Sequence, residues 1–340
     1  MTTKNKLDKE TSILEVRGLK TYFYTADGIV RAVDGVDLDV FPKRTLGIVG
    51  ESGCGKSITT KSILRLIDHP GRIIEGQVNL KGDSPKDTVD ITQLKNNGTQ
   101  LRQIRGGRIS MIFQEPMTSF SPIHTVGNQI TEAIRLHSNL NKIEAIELAE
   151  DWLIRVGMSN PSQRLKQYAF ELSGGQRQRA MIAMALCTNP DVLIADEPTT
   201  ALDVTTQAQV LDLLKEMQQK NGMSIIMITH DLGVIAELAD DVAVMYLGKI
   251  VESGTIRQVF KNPKHPYTEA LLSSIPSLAT GHRERLPILT GTIPHPQARP
   301  KGCPFNPRCK DFIEGTCEIS FPEQEIIEEG HLVNCHLYNK

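Results

Sequence analysis

Short unbroken apolar runs punctuate this chain, each ending on glycine or a polar residue. Thr45-Leu46-Gly47-Ile48-Val49, Val192-Leu193-Ile194-Ala195 and Ser224-Ile225-Ile226-Met227-Ile228 are the clearest, and Ile112-Phe113 closes a fourth. Runs this short and this apolar predict strands buried on both faces, the pattern of a parallel sheet. Between them, Ile58 to Ile67 and the stretch through Ala180, Met181, Ile182, Met184 and Leu186 carry apolar residues at helical spacing. Ile130 to Val156 does the same, with Ile143, Ile146, Leu153 and Val156 on one face. Leu14 to Val40 instead alternates, with turns expected at Asp27-Gly28 and Asp34-Gly35, which predicts antiparallel strands. Asp83 to Gln100 reads as loop, and no internal repeat or heptad is evident. The pattern is α/β.

The first strand opens onto Gly50-Glu51-Ser52-Gly53-Cys54-Gly55-Lys56-Ser57-Ile58, a complete G-x-x-x-x-G-K-S phosphate loop between strand and helix. Gly50, Gly53 and Gly55 let successive backbone N–H groups face one anion. The helix N-terminus adds positive potential, Lys56 reaches the outer phosphates and Ser57 offers a hydroxyl to magnesium. The acidic strand ends on Asp196-Glu197, placed to hold magnesium and to accept a proton from an attacking water respectively. His230 ends a further strand and Gln114 another, at the sheet edge where α/β ligands bind. Gln114 is read as touching both metal and water.

Leu172-Ser173-Gly174-Gly175-Gln176 is a second glycine-bearing motif. Ser173 and Gln176 have capping-box spacing ahead of an apolar helix, and two glycines there make sense if a phosphate approaches the helix end. Lys56 already serves the chain's own nucleotide, so this second anion site is read as serving a partner's.

With these residues the chain resembles the nucleotide-binding domain of the ATP-binding cassette family, from about Ile13 to Gly254. The resemblance implies a P-loop NTPase (RecA-like) core with an antiparallel β subdomain and an α-helical subdomain at about 120–180. It makes the Lys56 loop Walker A, Gln114 the Q-loop, Ser173 to Gln176 the signature, Asp196-Glu197 Walker B, Asp203 the D-loop and His230 the switch histidine. Phe23 matches the aromatic that stacks on adenine, with Tyr22 and Tyr24 as rivals. Catalytic Glu197, His230 and Gln114 and a magnesium held through Ser57, Gln114 and Asp196 follow. Two such domains are expected head to tail, each ATP clamped between one chain's Walker loop and the other's signature.

The tail sharpens the resemblance. His265-Pro266-Tyr267-Thr268 and Cys303-Pro304-Phe305-Asn306-Pro307-Arg308-Cys309 are similar to elements of oligopeptide and dipeptide permease ATPases of the D type. The expected division is a cassette over 1–261 and an extension over 262–340. The implied partners are an F-type ATPase, two integral membrane permeases and an extracellular or periplasmic binding protein, with the chain at the cytoplasmic face of the membrane. Oligosaccharide is the alternative cargo, because Met117-Thr118-Ser119-Phe120-Ser121-Pro122 departs from the Met-Thr-Ser-Leu-Asn-Pro of many peptide importers. A soluble ATPase of the same superfamily is the alternative class, but neither its tandem cassettes nor its long coiled coil is present.

Composition narrows little further. The formal net charge of −2 gives no sign of nucleic-acid affinity. No apolar stretch reaches the roughly 18 residues that suggest a membrane span, and the polar start lacks a signal peptide's apolar region. Of six cysteines, Cys54 sits in the phosphate loop and Cys187 on an apolar helix. Cys303, Cys309, Cys317 and Cys335 cluster in the Pro-rich tail, read as irregular. Four thiols in a cytosolic chain suggest a metal. The spacing lacks a tight C-x-x-C, which weakens zinc, and the resemblance favours a 4Fe-4S cluster. His331 and His336 flank Cys335 and are read as bystanders.

Overall fold

The computed structural model describes residues 11–339 apart from 83, 85, 86, 116–118, 201 and 275–290, so Met117 and Thr118 of the segment after Gln114 lie outside the described residues. Alternation near the N-terminus becomes β1 (Leu14–Thr25) and β2 (Gly28–Val40), paired antiparallel. The turn at Asp27-Gly28 forms. Asp34-Gly35 is not a turn: the ladder steps from Leu19↔Val36 to Lys20↔Asp34, passing over Gly35 at φ +79°, so the glycine makes a bulge inside β2. The next strand, β3 (Thr45–Val49), leaves for the main sheet, while β4 (Gly71–Leu80) and β5 (Val89–Asp90) complete the first in the order β2-β1-β4-β5. The segment read as loop thus contains β5 and the start of a helix at Thr99.

The main sheet adds β6 (Ile109–Ile112), β7 (Val192–Asp196), β8 (Ser224–Ile228), β9 (Asp241–Tyr246), β10 (Lys249–Thr255), β11 (Glu325–Glu328) and β12 (His331–Val333), ordered β11-β12-β10-β9-β3-β8-β7-β6. Every residue of β3, β6, β7 and β8 is buried, as unbroken apolar runs require. β9, β3, β8, β7 and β6 run parallel, so the loops after β3, β6, β7 and β8 leave from one edge. That edge carries the site.

Helix α1 (Lys56–Ile63) packs its Ile63 in one core with Leu14, Val16 and Ile48, joining the two sheets. After α2 (Thr99–Ile104), the periodic stretch from Ile130 is two helices, α3 (Val126–His137) and α4 (Lys142–Arg155). The break is made by Asn141, whose side chain accepts from the N–H groups of Ile143 and Glu144 while Glu144 bonds back to its N–H. Consequently the expected apolar face is shifted. Ile143 is 70% exposed and Ile146 is also exposed, while Ala145, Ala149, Trp152 and Leu153 are buried. Helices α5 (Pro161–Arg164) and α6 (Gly174–Leu186) follow, and Trp152 shares a core with Ala180 and Met181. Then come α7 (Val204–Asn221), α8 (Leu232–Leu238), α9 (Ile256–Lys261) and α10 (Pro266–Ser273).

The tail expected to be irregular extends the main sheet, since β12 pairs antiparallel with β10 and β11 with β12. His331, read as a bystander, is fully buried with its Nε2 2.7 Å from Glu252 Oε1. The same carboxyl group accepts from the backbone N–H groups of Lys264, at 2.8 Å, and His265, at 2.9 Å. Glu252 therefore ties β10, the turn before α10 and β12 together.

Candidate functional site

The phosphate loop leaves β3 and wraps the start of α1. Gly50 and Gly55 are required by contact as well as by curl: a Cβ on either would lie 2.2 Å from a backbone oxygen, of Met245 and Ala32 respectively. Their φ values, +152° and +109°, lie where side chains are strained. Lys56 is buried, and its ammonium donates to the carbonyls of Gly50 at 2.8 Å and Glu51 at 3.1 Å. Burial raises the Cys54 thiol above its ordinary range, so this cysteine is a packed group rather than a nucleophile.

The cleft beside this loop is lined by Ser52 to Ile58, Gln114, Glu197, Val30, Arg31, Ala32, Leu247 and Gly248, and by Pro296 and Arg299. Loops from β3, β6 and β7 therefore converge as the strand ends predict. Ser57 Oγ donates to Asp196 Oδ1 at 3.0 Å. Burial, together with the neighbouring Glu197 charge, raises Asp196 above the usual carboxylate range despite that bond. Glu197 stands at φ +48°, and its Oε2 accepts from Gln114 Nε2 at 3.0 Å and Thr200 Oγ1 at 2.9 Å. His230 Nδ1 lies 3.4 Å from Glu197 Oε1, with the imidazole largely exposed. Carboxyl, amide and imidazole thus meet at one point beside the phosphate loop.

Some predicted residues are elsewhere. Phe23 does not line the cleft; its ring lies against Gly71, where an added Cβ would come within 2.6 Å of it. Tyr22 donates its hydroxyl to Asp34 at 2.6 Å. Ser173 and Gln176 form the predicted capping box at the head of α6, but neither they nor Gly174 and Gly175 line the cleft. A Cβ at Gly174 would meet nothing within 4 Å, so packing within this chain does not demand that glycine. Asp203 caps α7 by accepting from Thr206 N at 2.9 Å and Thr206 Oγ1 at 2.7 Å.

Sequence reasoning missed the contribution of the tail. Arg299, which lines the cleft, donates to Asp34 Oδ2 at 2.9 Å, and Asp34 also lies 3.4 Å from Lys249 Nζ. Nothing local marks Arg299, since its partner Asp34 lies 265 residues away in β2. Thr200, whose hydroxyl donates to Glu197, is marked in the sequence only by lying three residues past it.

The four tail cysteines are free thiols, with Cys303, Cys317 and Cys335 buried. Burial raises Cys303 to about 12 and Cys335 to about 11, and charge on the other thiols adds to both shifts. They are neighbours. Yet among the described residues no group of three or more His, Cys, Asp or Glu side chains is placed to hold a metal, so the expected 4Fe-4S or zinc ligation by Cys303, Cys309, Cys317 and Cys335 has no support in the geometry. Nor is any helix of the described residues long and apolar enough to cross a membrane.

The family model for ABC transporters matches residues 33–200, and that for the oligopeptide/dipeptide transporter C-terminal region matches 251–317. The chain is 45% identical to the probable peptide ABC transporter ATP-binding protein y4tR of Sinorhizobium fredii, over 98% of this chain and 97% of that one. It is 47% identical to the oligopeptide transport ATP-binding protein AppD of Bacillus subtilis, covering 97% and 98%, and 46% identical to the dipeptide transport ATP-binding protein DppD of the same organism, covering 96% and 95%. Among solved structures it is similar to the dimeric bacterial ABC transporter cassette MJ0796, with a TM-score of 0.63 and 25% identity over 72% of this chain and 99% of that one.

Proposed function

The chain belongs to the ABC transporter family, and from that premise we propose that it is the ATP-hydrolysing subunit of an importer of di- and oligopeptides. The observation that carries the reading is end-to-end similarity to peptide-import ATPases, tail included. The proposed division is a cassette over 1–261, with its helical part at about 120–180, and a peptide-permease-type extension over 262–340.

The proposed roles follow from the geometry. The curled loop from Gly50 to Ser57 takes the phosphates, and Lys56 turns its ammonium from the loop's own carbonyls to the outer phosphate oxygens. Ser57, Gln114 and Asp196 present the oxygen donors that a hard cation prefers and would hold a magnesium ion, which would supply neutralisation of phosphate charge. Glu197 accepts the proton of an attacking water. Gln114 and Thr200 fix its carboxylate, and the φ of +48° stores about 1–3 kcal/mol of strain to aim it. His230 stands beside Glu197 to stabilise the transferring phosphoryl group.

The signature residues lie outside the cleft of their own chain, which supports their serving a second cassette's nucleotide in a head-to-tail dimer. The proposed assembly pairs this chain with an F-type ATPase under two permeases, at the cytoplasmic face of the membrane, fed by an external binding protein. Affinity purification of the tagged chain from native membranes tests it. Two integral membrane proteins, a second ATPase and a peptide-loaded binding protein are expected. Bound oligosaccharide would change the cargo, and the absence of any membrane partner would overturn the reading.

A finer proposal concerns the tail, where Cys303, Cys309, Cys317 and Cys335 hold a 4Fe-4S cluster, with zinc as the alternative. It rests on the sequence alone, where the four cysteines fall together within the tail. Metal analysis of anaerobically purified parent and Cys309→Ser chains decides: iron lost in the variant is expected, and a parent free of iron and zinc rejects it.

A further inference from the structure

The tail and the phosphate loop meet at Glu51. This residue does not line the cleft, whose lining from the loop begins at Ser52. Each of its polar groups is nevertheless held. Its carbonyl accepts from the Lys56 ammonium at 3.1 Å, and its N–H donates to the Tyr267 hydroxyl at 2.9 Å. Its carboxylate accepts from both terminal nitrogens of Arg308, at 2.7 and 3.1 Å. Two of these three holds come from the tail.

The tail side is rigid. The Arg308 side chain is only 4% exposed, donates also to the Tyr246 hydroxyl at 3.2 Å and lies over the Phe305 ring. Tyr246, Tyr267 and Phe305 pack on one another with ring centroids 4.7 to 5.3 Å apart. A bidentate guanidinium–carboxylate pair fixes orientation as well as distance. The pair also neutralises a carboxylate at the rim of a site that receives a polyanion, where an unpaired negative charge would oppose binding.

We propose that Arg308 and Tyr267 are positioning residues for nucleotide binding: by gripping Glu51 from outside the cleft they hold the phosphate loop in its anion-receiving curl and neutralise the charge at its rim. The tail thereby sets the affinity of the site for ATP. Preorganisation of this kind acts on binding, because a loop already curled loses less freedom when the ligand arrives. The proposal rests on the reading of the Lys56 cleft as the ATP site.

The test measures ATP affinity of the full chain by displacement of a fluorescent nucleotide, with steady-state hydrolysis and thermal melting alongside. Arg308→Ala is expected to weaken ATP binding about tenfold and to raise KM while kcat stays within about threefold. Adding Glu51→Gln to it should recover the part of the loss that comes from the uncompensated carboxylate and leave the part that comes from the lost grip. A merely structural role would not give that recovery. Should Arg308→Ala fail to fold, Arg308→Lys, which keeps the charge and loses the fork, carries the test with an intermediate loss expected. Affinity within about twofold of the parent in the folded variant, or a double variant as weak as the single, overturns the proposal. Lys56→Ala is the control. If it too leaves ATP binding unchanged, the assignment of the cleft has failed rather than the role of Arg308.

Discussion

Glu252 offers a quantitative test of how the tail is fastened. Its carboxyl group is fully buried and takes three donors: the Lys264 and His265 N–H groups and His331 Nε2. Glu252→Leu keeps the volume and removes every acceptor. Each orphaned donor costs about 1–3 kcal/mol, and truncating one partner of a buried pair costs about 3–5 kcal/mol, which sets the expected loss. Glu252→Gln keeps one acceptor oxygen and should cost only about 1–3 kcal/mol. Because the three donors lie in the turn before α10 and in β12, the loss should appear as local opening of the tail. Urea titration with two probes separates this from global unfolding: fluorescence of Trp152, in the helical region, and mass-resolved thiol labelling at Cys335. In the Leu variant Cys335 labelling should quicken about a hundredfold to a few thousandfold below the urea concentration at which Trp152 responds. If Leu is no worse than Gln, or Cys335 labelling stays coupled to the Trp152 transition, Glu252 does not fasten the tail.

Other outcomes follow from the site. Glu197→Gln should retain ATP binding while hydrolysis falls about a hundredfold to ten-thousandfold, measured as phosphate release; near-normal turnover would remove Glu197 as base. Asp196→Asn should melt higher than the parent without nucleotide at neutral pH. Its folded pKa is raised by burial, so the folded state binds the proton more tightly and loses stability as pH rises from the ordinary carboxylate range through the raised value. The gain should vanish well below that window, and a melting difference independent of pH would refute it. Gly55→Ala should yield little folded protein, because the new Cβ would sit 2.2 Å from the Ala32 carbonyl oxygen; a normal melting curve would show that the loop yields.

The parallel strands and the residues at their tips were legible because each is local: an apolar run ends where a charged or glycine-rich segment begins. Gln114, Glu197 and His230 converge as their strand ends predict, close enough to bond. Periodicity failed where a cap cut a helix in two, for Asn141 and Glu144 reset the phase and left Ile143 outside. At Gly35 a glycine signal was real but expressed as a bulge. The tail defeated local reading altogether. His331, Arg299 and Arg308 have partners 79, 265 and 257 residues away, and no periodicity spans such separations.

The grip of Arg308 on Glu51 also orders events during synthesis. The phosphate loop is among the first segments to leave the ribosome, whereas its clamp is made 257 residues later, roughly 10–50 s at ordinary elongation rates. A nascent or prematurely terminated chain therefore carries a phosphate loop without its guanidinium. On the proposed role of Arg308, fragments ending before the clamp would bind ATP more weakly than the finished chain.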